Sequence, residues 1–406
     1  MSNPNRGSKR VLSGMRPTGQ LHIGHYHGAL KNWLTLQNEY DCYFFVADFH
    51  ALTTLYDDPR VIRQATWDTV IDWLAVGIDP ERACLFIQSF VPEHAELTLL
   101  LGMGTPLPWL ERVPSYKDQQ DRLKEKDLAT YGFLGYPLMQ AADILIYRPA
   151  FVPVGEDQVP HVELTREIAR RFNHLFGREP DFEALADAAI NKMGKKAARL
   201  YRQHKRDYQE KGLHEALDVG RELVEQQQNL NMADRDRLLG YLEGVSRTIL
   251  PEPDALLTPT PKLPGLDGQK MSKSYGNTIG LREDSDVIRE KIRRMTTDPA
   301  RVRRNDPGDP EKCPVFDLHK VYSSEDTCQW AAAGCRSAGI GCLDCKKPLI
   351  DEVVAEVEPI AARARHIQSD PGAVHDMVSL GSEHARNKAA ETLREVRAAM
   401  GLVVQT

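Results

Sequence analysis

A short apolar run, residues 11–13, leads into Met15-Arg-Pro-Thr-Gly-Gln-Leu-His-Ile-Gly-His-Tyr-His-Gly-Ala-Leu30, and this junction constrains the chain more than any other stretch. Pro17, Gly19 and Gly24 allow a tight turn and a close approach of backbone to a ligand. From Gln20 onward, Leu21, Gly24, Gly28, Leu30, Trp33 and Leu34 fit a helix packed on a sheet. A helix entered in this way offers free N–H groups and the positive end of its dipole, which suit an anion such as a nucleotide phosphate. His22 and His25, three apart, share one face of its first turn. Taken alone, the same residues also describe a strand–helix turn with two incidental histidines.

The rest of the chain sets the context for that junction. It has 406 residues, 41% apolar and 27% charged, which predicts a soluble globular protein of two or three domains. The net charge of −6 gives no global electrostatic case for nucleic acid, so any such contact must be local. Residues 1–10 are polar and no run approaches membrane-spanning length, so neither a secretory signal nor a membrane partner is expected. Seven unevenly spaced cysteines argue against a disulfide framework, and the cytoplasm is the expected compartment.

Apolar runs at 42–47 and 84–89 read as buried strands, separated by a helical pattern over 57–78, and Pro92 opens a further helix. Strands alternating with helices predict βαβ units around a parallel sheet, whose ligands bind beyond the carboxyl ends of the strands. The charged stretch 116–128 reads as a solvated face from which Lys117 could reach a phosphate. Residues 136–147 form a helix that is apolar nearly all round and carries one carboxylate, Asp143. A buried carboxylate is costly unless paired, so a donor should face it. The turn Gly155-Glu-Asp-Gln158 ends a strand and could hold a ribose, or be a capped turn before the helix over 160–172. Residues 178–250, rich in charge and alanine, read as two or three amphipathic helices, and five prolines make 251–264 a returning loop. A second glycine-flanked loop, Gly268-Gln-Lys-Met-Ser-Lys-Ser-Tyr-Gly-Asn277, carries two lysines three apart, which act as point charges on phosphate oxygens.

Together, His22-Ile-Gly-His25 and Lys270-Met-Ser-Lys-Ser274 resemble the HIGH and KMSKS signatures of class I aminoacyl-tRNA synthetases. Tyr-Pro…Ala-Ala-Asp-Ile-Leu at 136–145 and Val-Pro-Val-Gly-Glu-Asp-Gln at 152–158 resemble the tryptophan-specific members. The resemblance implies an α/β fold: a Rossmann-like nucleotide-binding parallel sheet with helices on both faces, plus an all-helical anticodon-binding domain. The expected division is a catalytic domain of 1–177 and 252–284, a helical insertion of 178–251, an anticodon-binding domain of 285–385, and a final helix, 386–406, packing back on the core. The implied reaction joins L-tryptophan to tRNA(Trp) with ATP and Mg2+, through tryptophanyl-adenylate. By the match, Lys270, Lys273 and His25 are catalytic. Arg16, Pro17, Thr18, Gly24, His25, Gly155, Glu156, Asp157, Leu263, Met271, Ser272 and Ser274 complete the ATP site with both lysines. Asp143, Tyr136 and Gln158 would bind tryptophan, Asp143 by accepting the indole N–H.

Two departures bear on the choice of amino acid. Gln140 stands where many tryptophan enzymes have Met, and Gln-x-x-Asp resembles the tyrosine enzymes; Arg16 occupies a position that is often Gln in tryptophan enzymes and acidic in tyrosine enzymes. Against tyrosine, Leu12 occupies the position expected to supply a phenol-binding Tyr. A tyrosine enzyme is therefore the alternative, and a nucleotidyltransferase using the HIGH loop on small molecules a more remote one. The length beyond residue 285, with its basic cluster, speaks against the latter.

Within sixteen residues stand Arg289, Lys291, Arg293, Arg294, Arg301, Arg303 and Arg304. Residues 284–297 read as a helix, and a solvated face would explain such a run. The resemblance makes tRNA-phosphate contacts of Arg293, Arg294, Arg301, Arg303 and Arg304. Cys313, Cys335, Cys342 and Cys345 follow, separated by 21, 6 and 2 residues. Four thiolates suit zinc or an iron–sulfur cluster, and residue types alone do not choose. A subset of the resembled family carries a [4Fe–4S] cluster on similar spacing, which makes that the expected cofactor, with Zn2+ the alternative. Cys328 lies off the pattern, and Cys42 and Cys84 are expected in strands. Residues 348–404 are helical by pattern, and the family implies a homodimer, with no DNA partner.

Overall fold

The computed structural model describes residues 9–113, 130–177, 181–244, 247–257 and 263–403, the side chain of Ser274 lying outside what is described. The charged stretch with Lys117 lies outside the described residues. Among the described residues five strands, β1 (Arg10–Met15), β2 (Asp41–Val46), β3 (Ala83–Ile87), β4 (Phe151–Val154) and β5 (Asp254–Leu257), form one sheet in the order β3-β2-β1-β4-β5. β1, β2 and β3 run parallel, with Val11 opposite Cys42 and Cys42 opposite Ala83. From Cys42 to Val46 every residue of β2 is buried, as a strand covered on both faces requires. The order leaves β1 central, and the chain leaves its carboxyl end through the Pro17–Gly19 turn into the opening loop. The fold is the expected α/β, Rossmann-like sheet with a helical C-terminal region.

The chain divides into two compact units, residues 1–90 with 257–384 and residues 91–256 with 385–406. In the first, Trp33 stacks on Phe44 with ring centroids 4.2 Å apart and meets Trp73 edge-on at 5.2 Å. The helical region of this unit comprises Ser285–Arg294, Pro314–Tyr322, Glu325–Arg336, Cys342–Gln368 and the first part of Pro371–Ala399. That last helix lies close on β2 and β3: the Cys84 thiol donates to the Gly381 carbonyl at 3.2 Å, and Tyr43 bonds His384 at 3.0 Å.

The second unit is built on the Tyr131–Leu145 and Val159–Phe176 helices. The remainder of the last helix is tied there by Arg386 to Glu93, Arg397 to Glu96 and Glu395 to Arg148. Among its described residues, the charged stretch beyond residue 178 holds four helices rather than two or three: Phe182–Lys192, Lys195–Lys211, His214–Glu225 and Met232–Glu243. Gly194 and Gly212, both at positive φ, end one helix and release the next, so a single periodic reading runs them together. Their inner faces share a core of Ile190, Tyr201, Val224, Leu238 and Leu242. β5 falls in the proline-rich return read as a loop; it is four residues long and lies at the sheet edge, where flanking prolines are tolerated. Among the described residues no helix is long and apolar enough to cross a membrane.

Candidate active site

The first unit holds both motif loops. His22 caps the start of the opening helix: its Nδ1 accepts the Gly24 N–H at 3.1 Å, while the His22 N–H donates to Nδ1 of His25 at 3.3 Å. The helix begins as Ile23–His25 and widens into a π-helical turn, Tyr26–Leu30, before Lys31–Glu39. Such widening is common at functional sites. The Arg16 guanidinium donates to Thr54 at 2.5 Å. Across from this loop, the Lys273 ammonium donates to the Thr18 hydroxyl at 3.4 Å. Lys270 is exposed, Met271 and Leu263 are buried, and the Met271 N–H reaches the Leu263 carbonyl at 3.4 Å. Ser272 is held by its backbone N–H, which donates to Asn277 Oδ1 at 2.8 Å. Asn277 in turn donates to Asp267 at 2.7 Å and to the Lys270 carbonyl at 3.2 Å, so one buried amide shapes the lysine loop.

A buried carboxylate fastens the two loops. Asp72, fully buried, accepts the Leu21 N–H at 2.7 Å and Arg282 Nε at 2.5 Å. Arg282 also bonds the Asp68 carboxylate at 2.8 Å and the Asp68 carbonyl. Beside it, the Ile23 N–H meets the Ile279 carbonyl and the Leu281 N–H the Leu21 carbonyl, each at 3.0 Å, as a short antiparallel bridge. Neither Asp72, Arg282 nor Asn277 was singled out from sequence. The only signal is a pair of acids four apart, Asp68 and Asp72, among buried residues that are otherwise uncharged.

Electrostatics at the two loops follow from burial. Burial lowers His22 to about 4, with help from the Lys273 charge. Burial, then the charges of His22, Lys273 and Lys270, hold His25 well below its ordinary value, so it is neutral at pH 7. Burial also pushes the Lys273 ammonium down to about 8, against the pull of Asp72 and Asp68. For Asp72, burial outweighs the Arg282 charge and raises the carboxyl to about 6.

The second unit holds the expected amino-acid groups. Asp143 lies within the Tyr131–Leu145 helix, and the side chain facing it is His94, whose Nδ1 is 2.6 Å from Oδ1. Sequence reasoning missed His94, which stands in the first turn of a helix 49 residues earlier. Tyr136, nearly buried, is 3.4 Å from His161 through its hydroxyl. Gly155, Glu156, Asp157 and Gln158 form a 3-10 turn after β4, with both acids exposed and Gln158 donating to Asp157 at 3.2 Å.

Of the basic cluster, Arg293, Arg294, Arg303 and Arg304 are exposed. Arg301 is not: its guanidinium is buried, donates to the carbonyls of Arg304 at 3.0 Å and Ile340 at 2.6 Å, and lies 3.8 Å from the Cys335 sulfur. Arg301 therefore belongs to the cysteine loop and not to an RNA-facing surface. All seven cysteines are free thiols. Cys328 donates to the His319 carbonyl, off the quartet. Cys313 caps the Pro314–Tyr322 helix, Cys335 ends the next, and Cys342 and Cys345 open the Cys342–Gln368 helix. Burial, then the other three thiols of the quartet, push Cys345 up to about 12. Among the described residues no three His, Cys, Asp or Glu side chains are gathered tightly enough to hold a metal ion as they stand.

Residues 4–201 and 214–358 match the family of tRNA synthetases class I (W and Y). The chain is 63% identical to a tryptophan–tRNA ligase of Ralstonia nicotianae, covering 97% of this chain and 98% of that one. It is 45% identical to one of Thermotoga maritima, covering 97% and 99%. Among solved structures it is similar to the tryptophanyl-tRNA synthetase of Campylobacter jejuni complexed with ADP and tryptophan, with a TM-score of 0.70 and 27% identity over 97% of this chain and all of that one. The chain belongs to the class I tRNA synthetases of the W and Y family.

Proposed function

We infer that this chain is a tryptophan–tRNA ligase, which activates L-tryptophan with ATP and transfers it to tRNA(Trp). The observation that carries the chemistry is Lys273 reaching Thr18, which brings a cation to an opening loop built to cradle an anion. The substrate is carried by the 63% identity to a tryptophan–tRNA ligase. The tyrosine alternative and the small-molecule nucleotidyltransferase are not favoured.

In the first step a tryptophan carboxylate oxygen attacks the α-phosphorus of ATP, which enters with Mg2+. The bond from that phosphorus to the bridging oxygen breaks, and pyrophosphate leaves with the negative charge. No protein nucleophile is needed, so the residues act by positioning and charge stabilisation. Lys270 and Lys273 hold the departing pyrophosphate, with Ser272 and Ser274 supporting the loop. Arg16, Pro17, Thr18, Gly24, His25, Leu263 and Met271 line the nucleotide, and Gly155, Glu156 and Asp157 face its ribose. Asp143 accepts the indole N–H, while Tyr136 and Gln158 meet the amino and carboxylate groups. In the second step a hydroxyl at the 3′ end of tRNA attacks the acyl carbon and AMP leaves. Arg293, Arg294, Arg303 and Arg304 contact tRNA phosphates.

The division of labour follows the domains: catalysis in 1–177 and 252–284, a helical insertion in 178–251, anticodon recognition in 285–385 and a closing helix in 386–406. Cys313, Cys335, Cys342 and Cys345 would hold a [4Fe–4S] cluster, with Zn2+ the alternative. The reading is supported by the chemistry of the donor set, four cysteines in one helical region, by Arg301 beside Cys335, and by Gly308, where a Cβ would lie 2.6 Å from the Cys335 sulfur. A bound centre would neutralise the thiolates and cross-link three helices. The enzyme works in the cytoplasm as a homodimer.

The test is amino-acid-dependent pyrophosphate exchange on anaerobically purified protein, with metal analysis of the same sample. Exchange with tryptophan is expected, and dependence on tyrosine alone overturns the assignment. About four irons and four sulfides per chain support the cluster; stoichiometric zinc without iron rejects it.

A further inference from the structure

Asp143, His94 and Tyr147 form a chain of hydrogen-bonded side chains in the interior. His94 and Tyr147 are fully buried and Asp143 is 1% exposed. His94 Nδ1 is 2.6 Å from Asp143 Oδ1, and His94 Nε2 is 2.8 Å from the Tyr147 hydroxyl. The backbone of His94 is fixed as well, because its carbonyl accepts the Thr98 hydroxyl at 2.8 Å. Asp143 stands in the last turn of its helix and Tyr147 two residues beyond the helix end, and a single imidazole from another helix bridges both.

A carboxylate accepts an indole N–H most strongly when it is ionised and correctly aimed. Away from water, both conditions need a donor on the carboxylate. We propose that His94 is the positioning residue for tryptophan recognition: its Nδ1–H holds Asp143 as an oriented acceptor, and the Tyr147 hydroxyl, donating to Nε2, fixes the tautomer that keeps Nδ1 a donor. The direction of the chain is what matters. Run from Tyr147 through His94 to Asp143, it leaves the acid ionised. Run the other way, the acid would carry the proton and offer only a weaker, uncharged acceptor. The proposal rests on the reading that Asp143 accepts the indole N–H.

Two substitutions separate the two nitrogens. The amide of Asn reaches about where Nδ1 lies, and that of Gln about where Nε2 lies. His94→Asn therefore keeps a donor to Asp143, whereas His94→Gln keeps the Tyr147 contact and loses that donor. Each is assayed in the full chain by pyrophosphate exchange with tryptophan and with its benzothienyl analogue, which replaces the indole N–H by sulfur. His94→Gln is expected to raise KM for tryptophan about 100-fold, with kcat much less affected, and to erase most of the preference for tryptophan. His94→Asn should remain within about fivefold of wild type in both. Tyr147→Phe, which keeps the ring, should raise KM about tenfold and serves if His94→Gln does not fold.

Equal behaviour of the Asn and Gln variants, with preference intact, overturns the role of His94. The same holds if Tyr147→Phe leaves KM unchanged. Asp143→Ala separates this from the parent reading. If that variant retains the preference for tryptophan over the analogue, Asp143 is not the indole acceptor and both readings fall together.

Discussion

His25 takes the His22 N–H on Nδ1, so its neutral ring carries the proton on Nε2. Because burial and the neighbouring cations keep it neutral, it offers a hydrogen-bond donor and no titrating proton. Asn can do both jobs with one amide, accepting the His22 N–H and donating outward. His25→Asn should therefore form adenylate at near wild-type rate, whereas His25→Ala should lose about 10²–10³ in single-turnover rate. Equal rates in both variants would remove the donor role. Lys273 makes a second prediction at this scale. Its ammonium, lowered to about 8 in the free protein, is charged below that pH and loses its charge above it. The kcat/KM for ATP in pyrophosphate exchange should fall as pH rises through about 8, and Lys273→Arg should remove that alkaline limb because arginine stays charged. A limb that persists unchanged in the arginine variant belongs to another group. The lysines and histidines themselves were legible in sequence, since residue type and spacing carry their chemistry. What spacing could not give was which nitrogen of His25 is occupied, because that depends on a cap formed only when the helix starts at Ile23.

At the level of elements, the two motif loops are joined by backbone pairing between Leu21 and Leu281 and by the Asp72–Arg282 ion pair. Removing one partner of a buried pair leaves the other uncompensated, and here the Leu21 N–H would also lose its acceptor. Asp72→Ala should destabilise the fold by about 3 kcal/mol in denaturant unfolding with the m value retained. The surviving fraction should also exchange pyrophosphate more slowly, since neither loop is held. Wild-type stability and rate together would show that the backbone bridge suffices. The strands and their order of appearance were readable because buried parallel strands are continuous apolar runs. Asp72 was not, because its meaning depends on Arg282, 210 positions later. β5 escaped for another reason: four residues among prolines carry no period to detect. His94 was foreseeable in kind but not in identity, since burial of Asp143 demands a donor without saying which helix supplies it.

For the molecule as a whole, a net charge of −6 means that RNA is repelled on average and must be held by a local patch. Sequence alone grouped five arginines into that patch, and the fold separates them by what their guanidinium groups already bond. Arg301 is committed to the carbonyls of Arg304 and Ile340 beneath the cysteine loop, whereas Arg303 and Arg304 face solvent. Each phosphate neutralised adds about 0.7–0.9 to the slope of log K against log salt. The double variant Arg303→Ala/Arg304→Ala should therefore reduce the slope for tRNA(Trp) binding by about 1.5, while tryptophan-dependent pyrophosphate exchange without tRNA stays at the wild-type rate. Arg301→Ala should behave in the opposite sense, leaving the slope unchanged and lowering Tm, because it removes hydrogen bonds inside the fold rather than charge from its surface. An unchanged slope in the double variant would move the RNA contact away from this segment. A reduced slope in Arg301→Ala would mean that the cysteine loop must open before tRNA binds.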